Sequence, residues 1–277
     1  MNLTEVIDKT TEHRKELTEL KFLEVLKERA TNGHAVMKKS PIFREDHGPE
    51  MMLVTPSERE TRSAFWVDKL IRTQPAWARF PSRTRFISGY TSLDRLEGDS
   101  KTHYVLIPLD GTRIGICPGA SFYKSFSRVE KGMGLKRVDN DALAHWAEML
   151  YRAVSEVTSE FKADIKKPES FAEFNGILKS IDKALNGKQS VLRKKIKSHE
   201  GMEDDERVAI IDLLDRHVTN CETYLGEKLD PEQNDFSSVR VESFGKLPTH
   251  REVWIDSPVL LIRRDTYIEL HKKGRIK

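Results

Sequence analysis

The stretch Leu247-Pro-Thr-His250-Arg-Glu252-Val-Trp-Ile-Asp256-Ser-Pro258-Val-Leu-Leu-Ile262 decides how this chain is read. Val253, Trp254 and Ile255 make one short apolar strand. Asp256 to Pro258 carry turn residues, and Val259 to Ile262 make a second strand, so the pattern predicts a β-hairpin. Glu252 stands at its mouth. A carboxylate at the edge of a buried sheet is costly unless a cation pairs with it or it takes part in chemistry. Two short strands cannot fold alone, so they must join strands found earlier in the chain.

Those strands are legible upstream. Ser40 to Asp46 is an extended piece closed by Gly48-Pro49. Arg85 to Ser88 runs into Gly89-Tyr90-Thr91-Ser92, and His103 to Pro108 reads as a buried strand. Leu109 to Gly111 reads as a turn, with Thr112 to Cys117 returning from it as a second hairpin. Helical spacing fills the remainder. Leu17, Leu20, Leu23 and Leu26 predict an N-terminal helical segment over 1–33, stopped by Asn32-Gly33. Thr55 or Ser57 is placed to cap a helix carrying Phe65, Trp66, Leu70 and Ile71, ended by Pro75. Asn140 is placed to cap a helix with Leu143, Trp146, Leu150, Val154, Val157 and Phe161. Further stripes run from Phe171 to Leu185 and from Ile211 to Leu225. The expected organisation is an α+β single domain over 1–277. Its β-containing core covers 40–130 and 236–270, and a helical insertion covers 138–230.

Composition narrows the function classes. A chain of 277 residues with 33% charged and 38% hydrophobic residues fits a soluble globular protein. No apolar run approaches bilayer length, and Met1 to Glu5 lacks the basic-then-apolar start of a secretory leader, which together point to a cytoplasmic protein without membrane contact. Cys117 and Cys221 have no second thiol at ligand spacing and read as reduced, buried thiols. A formal charge of +3 is no nucleic-acid signature. The exception is Lys188 to Lys197, which reads first as a solvated helix face and alternatively as a contact for phosphates. Walker, dinucleotide-fingerprint and zinc-protease motifs are absent from the sequence, as is any spaced histidine cluster, so no metal site is expected.

Three segments remain that could carry chemistry: Phe43-Arg44 at a strand end, Tyr90-Thr91-Ser92 after a strand, and His250-x-Glu252. In this order they resemble the arginine, Ser-Thr-Ser and Gln/Glu-x-Glu signature of the mono-ADP-ribosyltransferases that share the cholera-toxin-like sheet. The resemblance covers Pro41 to Cys117 and Val239 to Ile262 and leaves the helical middle unexplained. It implies an ADP-ribosyltransferase-like mixed β core and a glycosyltransferase-class reaction. NAD would be the substrate, nicotinamide would be released, and a macromolecular acceptor, protein or nucleic acid, would take the ADP-ribose. By the same resemblance Arg44 would grip the pyrophosphate with its planar fork. Thr91 and Ser92 would hold the carboxylate and line the nicotinamide side, and Tyr90 or Tyr104 would stack on the ring. Glu252, with His250 in the position two before it, would stabilise the oxocarbenium-like transition state.

The sequence departs from that signature at three places. Glu45 stands where glycine usually follows the arginine, Tyr90 replaces the first serine, and His250 replaces Gln or Glu, which puts an arginine acceptor in doubt. Other readings stay open. Arg44 has acidic neighbours in Glu45 and Asp46, Thr91-Ser92 could cap a helix at Leu93-Asp94, and Glu252 could pair with Arg251 or Arg263. Arg83 and Arg85 are alternative cofactor arginines. Arg83 to Ser92 and Arg251 to Asp256 also resemble tailed-phage proteins. A non-enzymatic virion component or host-binding factor on the same fold is therefore the second reading.

Overall fold

A computed structural model of the chain describes residues 13–33, 42–44, 48–57, 65–91, 102–158, 165–186, 188–198, 204–215, 220–243 and 248–276. The fold is mixed helix and sheet. Where the sequence reading expects one domain, the chain divides into two compact units: 1–64, 75–122 and 235–277 form the first, and 65–74 with 123–234 the second. No helix among the described residues is long and apolar enough to cross a membrane.

Among the described residues the first unit has nine antiparallel strands: β1 (His13–Glu16), β2 (Ile42–Arg44), β3 (Met51–Thr55), β4 (Ile87–Tyr90), β5 (His103–Pro108), β6 (Arg113–Ile116), β7 (Ser237–Arg240), β8 (Glu252–Ile255) and β9 (Val259–Arg263). Their order in the sheet is β1-β3-β9-β5-β2-β4-β8-β6-β7. One pair, Ile42 opposite Tyr90, joins β2 to β4 and so links a five-stranded half to a four-stranded half.

Both predicted hairpins are corrected by this topology. β8 pairs with β4 and β6, whereas β9 lies between β3 and β5. β5 and β6 likewise lie in different halves. The physical reason is burial: β5 and β8 are buried at every position. Such strands need neighbours on both edges and cover on both faces, and a two-stranded hairpin supplies neither. Asp256, expected as a turn residue, accepts the Ser82 N–H at 2.8 Å and ties the crossing to the 80–84 segment instead. The expected strands do share one sheet, and Met51–Thr55 joins them as a strand the sequence reading does not contain.

Alternation along the strands makes two cores. Met52, Val54, Tyr104, Leu106, Val259 and Leu261 of one half meet Ile87, Ile114, Ile116, Val253 and Ile255 of the other in one buried cluster. On the opposite face, Met51, Val105, Ile107, Leu260 and Ile262 pack with Phe22 and Leu26 of α1 (Glu19–Arg29) and Leu270 of α9 (Arg264–Lys272). Each fully buried side chain of this kind contributes about 1.5–3 kcal/mol. Of the helix expected over 1–33, His13 to Glu16 instead pair with Thr55 to Met52 as an edge strand and α1 starts at Glu19; 1–12 lie outside the described residues. Leu20 is 69% exposed: a spacing of three drifts off a 3.6-residue helix face.

A third, aromatic cluster lies against β8. Trp254 is fully buried and its indole N–H donates to the Pro81 carbonyl at 2.9 Å. Phe122 stands edge-on to it at 5.5 Å, and Phe80 and Phe236 sit at 6.2 Å. Gly115 on the neighbouring strand makes room for the indole, since a Cβ there would come within 2.3 Å of the ring.

The second unit is helical: α2 (Trp66–Arg72), α3 (Ser127–Met133), α4 (Asn140–Thr158), α5 (Phe171–Leu185), α6 (Gln189–Ser198), α7 (Asp204–Asp215) and α8 (Cys221–Lys228). It is wider than the expected insertion over 138–230 because α2 and α3 belong to it. The caps differ from expectation. Thr55 ends β3, and the first N–H of α2 is met at 2.7 Å by Asn140 Oδ1. Asp139 caps α4 through the Ala142 N–H at 2.9 Å. The stripe expected from Ile211 to Leu225 is two helices, because Asn220 caps a new start by accepting the Thr223 N–H at 2.8 Å. Leu143, Trp146 and Leu150 of α4 and Phe174 and Ile181 of α5 are fully buried, as the periodicity requires.

Candidate functional site

The three motif-bearing strands β2, β4 and β8 are neighbours in the sheet. Tyr90 stands opposite Ile42 on one side and Glu252 on the other. Directly beyond Tyr90, Thr91 extends the ladder. Its N–H donates to the Arg251 carbonyl at 3.0 Å, and its hydroxyl accepts the Arg251 N–H at 2.9 Å. The side chain of Thr91 thus fixes the backbone immediately before Glu252.

Glu252 is buried and its carboxylate is held from two directions. One oxygen accepts the Phe122 N–H at 2.7 Å, and the other lies 3.6 Å from the Arg83 guanidinium. The Arg83 side chain is only 2% exposed. Its guanidinium lies between the rings of Phe86 and Phe122, at 3.7 and 3.8 Å from their centroids. A planar, weakly hydrated cation between two π faces is well suited to burial beside a carboxylate. The main chain of Glu252 is also engaged, its carbonyl accepting the Cys117 N–H at 2.9 Å and its N–H donating to Gly119 at 3.2 Å. The 117–122 loop therefore grips Glu252 through both backbone and side chain.

The other expected residues fall as follows. His250 has φ 60° and is exposed, whereas Glu252 is buried. Tyr104 is 1% exposed, and its hydroxyl donates to the Gly48 carbonyl at 2.8 Å, so its ring is part of the sheet core. Arg44 ends β2 opposite His103; its side chain lies outside the described residues, as do Glu45, Asp46, Ser92 and Leu93-Asp94. Of the alternative arginines, Arg83 adjoins Glu252 and Arg85 is exposed. Arg263, the alternative partner for Glu252, forks instead to Glu50 and Asp265, each at 2.7 Å. The 117–122 loop had no place in the sequence reading, and no residue pattern in Cys117 to Phe122 announces it. A cleft of about 510 Å³ in the helical unit is lined by Tyr151, Lys166, Lys167, Glu169 and Glu173, among others, and none of the motif residues borders it.

Burial first, and then the nearby Glu252 charge, push the Cys117 thiol well above its ordinary range. An unfolded chain releases that proton from about pH 9 upward while the folded chain keeps it, so stability falls as pH rises through that region. Cys117→Ala should flatten the decline in urea stability between about pH 8.5 and about pH 10. An unchanged slope would exclude Cys117 as its source.

No known protein family matches the chain, and neither a curated protein nor a solved structure is similar to it.

Proposed function

We propose that the chain is an NAD-dependent ADP-ribosyltransferase with an ADP-ribosyltransferase-like β core. The observation that supports this most is the adjacency of β2, β4 and β8, which draws the Arg44, Tyr90-Thr91 and Glu252 segments together from across more than two hundred residues. In this reading Arg44 holds the NAD pyrophosphate by a bidentate fork. Thr91, with Ser92 after it, sets the strand end beside Glu252, and Tyr90 lies along the nicotinamide side. The Phe122 N–H fixes one Glu252 oxygen, the other lies 3.6 Å from Arg83, and the carboxylate accepts the ribose 2′-hydroxyl. The bond between the nicotinamide nitrogen and ribose C1 breaks and its electron pair leaves with nicotinamide. The carboxylate stabilises the positive charge that develops on the ribose. A nucleophile on a macromolecular acceptor then bonds to C1 and gives up its proton.

A second reading has its own support. Glu252 is 7% exposed and engaged by Arg83 and Phe122, as befits a carboxylate that organises a fold. On that reading the chain is a non-enzymatic interaction protein, of the kind a tailed phage would use in its virion or against its host. Incubation with NAD labelled in the adenylate moiety and a cell lysate distinguishes the two. The enzyme transfers label to macromolecules and releases free nicotinamide; the binding protein does neither. Arg44→Lys keeps the charge and loses the fork, so it should weaken NAD binding by about tenfold in calorimetry. Unchanged affinity would remove Arg44 from the site.

A further inference from the structure

The helix α5 holds a glycine that its own packing does not call for. Gly176 stands in the helix interior, where glycine is a poorer choice than alanine. Its φ is not positive, and a Cβ built on it would meet no atom within 4 Å. Neither backbone strain nor close approach therefore excludes a side chain. What the missing side chain keeps open is the cleft of about 510 Å³ in the helical unit. Small-molecule sites usually measure about 300–1,000 Å³.

One wall of the cleft is the α5 face that carries Glu173, Gly176, Ile177 and Ser180, the spacing of a single helix face. The 165–169 segment makes a second wall, and Tyr151 of α4 a third. Ile177 and Pro168 are buried, and Ile165 and Tyr151 are half-buried, so the lining offers apolar surface. Four charged side chains also stand on it, and two of them are engaged. Lys167 pairs with Asp141 at 3.0 Å, and the Glu173 carboxylate accepts the Glu169 N–H at 2.8 Å. The Ser180 hydroxyl is turned back to the Gly176 carbonyl, to which it donates at 2.9 Å. Among the described residues, none pairs with the Lys166 ammonium or the Glu169 carboxylate, which stand three residues apart on one wall.

We infer that this cleft binds a free α-amino acid with an aromatic side chain. One cation and one anion on the same wall call for a ligand with both signs of charge close together. An α-amino acid carries the two on one carbon, its carboxylate meeting Lys166 and its ammonium meeting Glu169. The ring lies flat over the bare backbone of Gly176, between Ile177 and Tyr151, where its apolar faces leave water. A simple anion or a simple amine would satisfy only half of the charged wall. The inference uses the helical unit alone and does not rest on the NAD reading.

The test is calorimetric titration of the full chain with L-phenylalanine, with hydrocinnamate and with phenethylamine. The last two keep the ring and one charge each. L-Phenylalanine should bind with a Kd of about 1 mM or tighter, and each analogue about fivefold more weakly. Lys166→Gln should weaken L-phenylalanine about fivefold and leave phenethylamine, which has no carboxylate, within about twofold. Glu169→Gln should show the converse pattern with hydrocinnamate. Gly176→Leu fills the cleft and should abolish binding. Gly176→Ala should raise the thermal midpoint by about 2–4 °C, as expected of a helix glycine with no packing role. Both glutamine positions are exposed, so these variants decide the matter even if Gly176→Leu does not fold. No binding of L-phenylalanine at about 10 mM, equal affinity for the three ligands, full binding by a folded Gly176→Leu chain, or a lowered midpoint in Gly176→Ala would each overturn the inference.

Discussion

Replacing Glu252 with glutamine should destabilise the first unit by about 3–5 kcal/mol, because it removes the carboxylate charge that stands 3.6 Å from the buried Arg83 guanidinium. The amide keeps the shape and an acceptor for the Phe122 N–H, so the loss isolates the charge pair. Arg83→Met in the same chain should recover most of the deficit, since replacing both members of a buried pair with apolar or neutral groups is often neutral. Urea unfolding of the wild type, the two single variants and the double variant measures the coupling directly. A Glu252→Gln chain within about 1 kcal/mol of wild type would show that the pair contributes little. The same variant tests the chemistry if it is assayed well below its unfolding transition. Nicotinamide release should then fall by about 10²- to 10³-fold, the scale of one lost transition-state contact. Equal turnover would take Glu252 out of the reaction while leaving its ion pair to Arg83 in place.

Trp254→Ala should be comparably severe, at about 3–5 kcal/mol. The indole is fully buried among Phe80, Phe122 and Phe236, and its N–H satisfies the Pro81 carbonyl at 2.9 Å. Truncation opens a large cavity and also strands a buried acceptor. Trp254→Phe keeps most of the ring contact and loses the hydrogen bond, so it should cost about 1–2 kcal/mol more modestly by the same measurement. Equal effects from alanine and phenylalanine would assign the stability to the hydrogen bond instead of the packing.

The strand cores were legible because burial on both faces leaves its mark along the chain, as in Tyr104 to Ile107 and Val259 to Ile262. Their partners were not. A run such as Val253-Trp-Ile255 followed by Asp-Ser-Pro and another apolar run looks the same whether the strands pair with each other or part to different halves of a sheet. What separates them is edge demand, a property of the assembled sheet. Met51–Thr55 is not legible as a strand because a five-residue segment without strict alternation resembles the flank of a helix, and Thr55 is a good cap residue. At the site, the neighbourhood of Glu252 was legible in part, since Tyr90 and Thr91 do flank it. Arg83 stood in the sequence as one alternative among several arginines. The 117–122 loop left no local trace, because its contribution is backbone N–H and C=O groups, which every residue carries.

The position of β9 between β3 and β5 has a consequence for how the protein is made. β5 leaves the ribosome about 150 residues, and β3 about 200 residues, before β9 does, a wait on the order of 10–40 s at usual elongation rates. During that interval Met52, Val54, Leu106 and Ile107 have no β9 to cover them, while the helices of the second unit already have the neighbours along the chain that helices need. A nascent chain in this condition offers two unpaired strand edges to any passing chain of the same kind. Trigger-type chaperones that shield apolar strands during translation should therefore raise the soluble yield of this protein more than its final stability suggests.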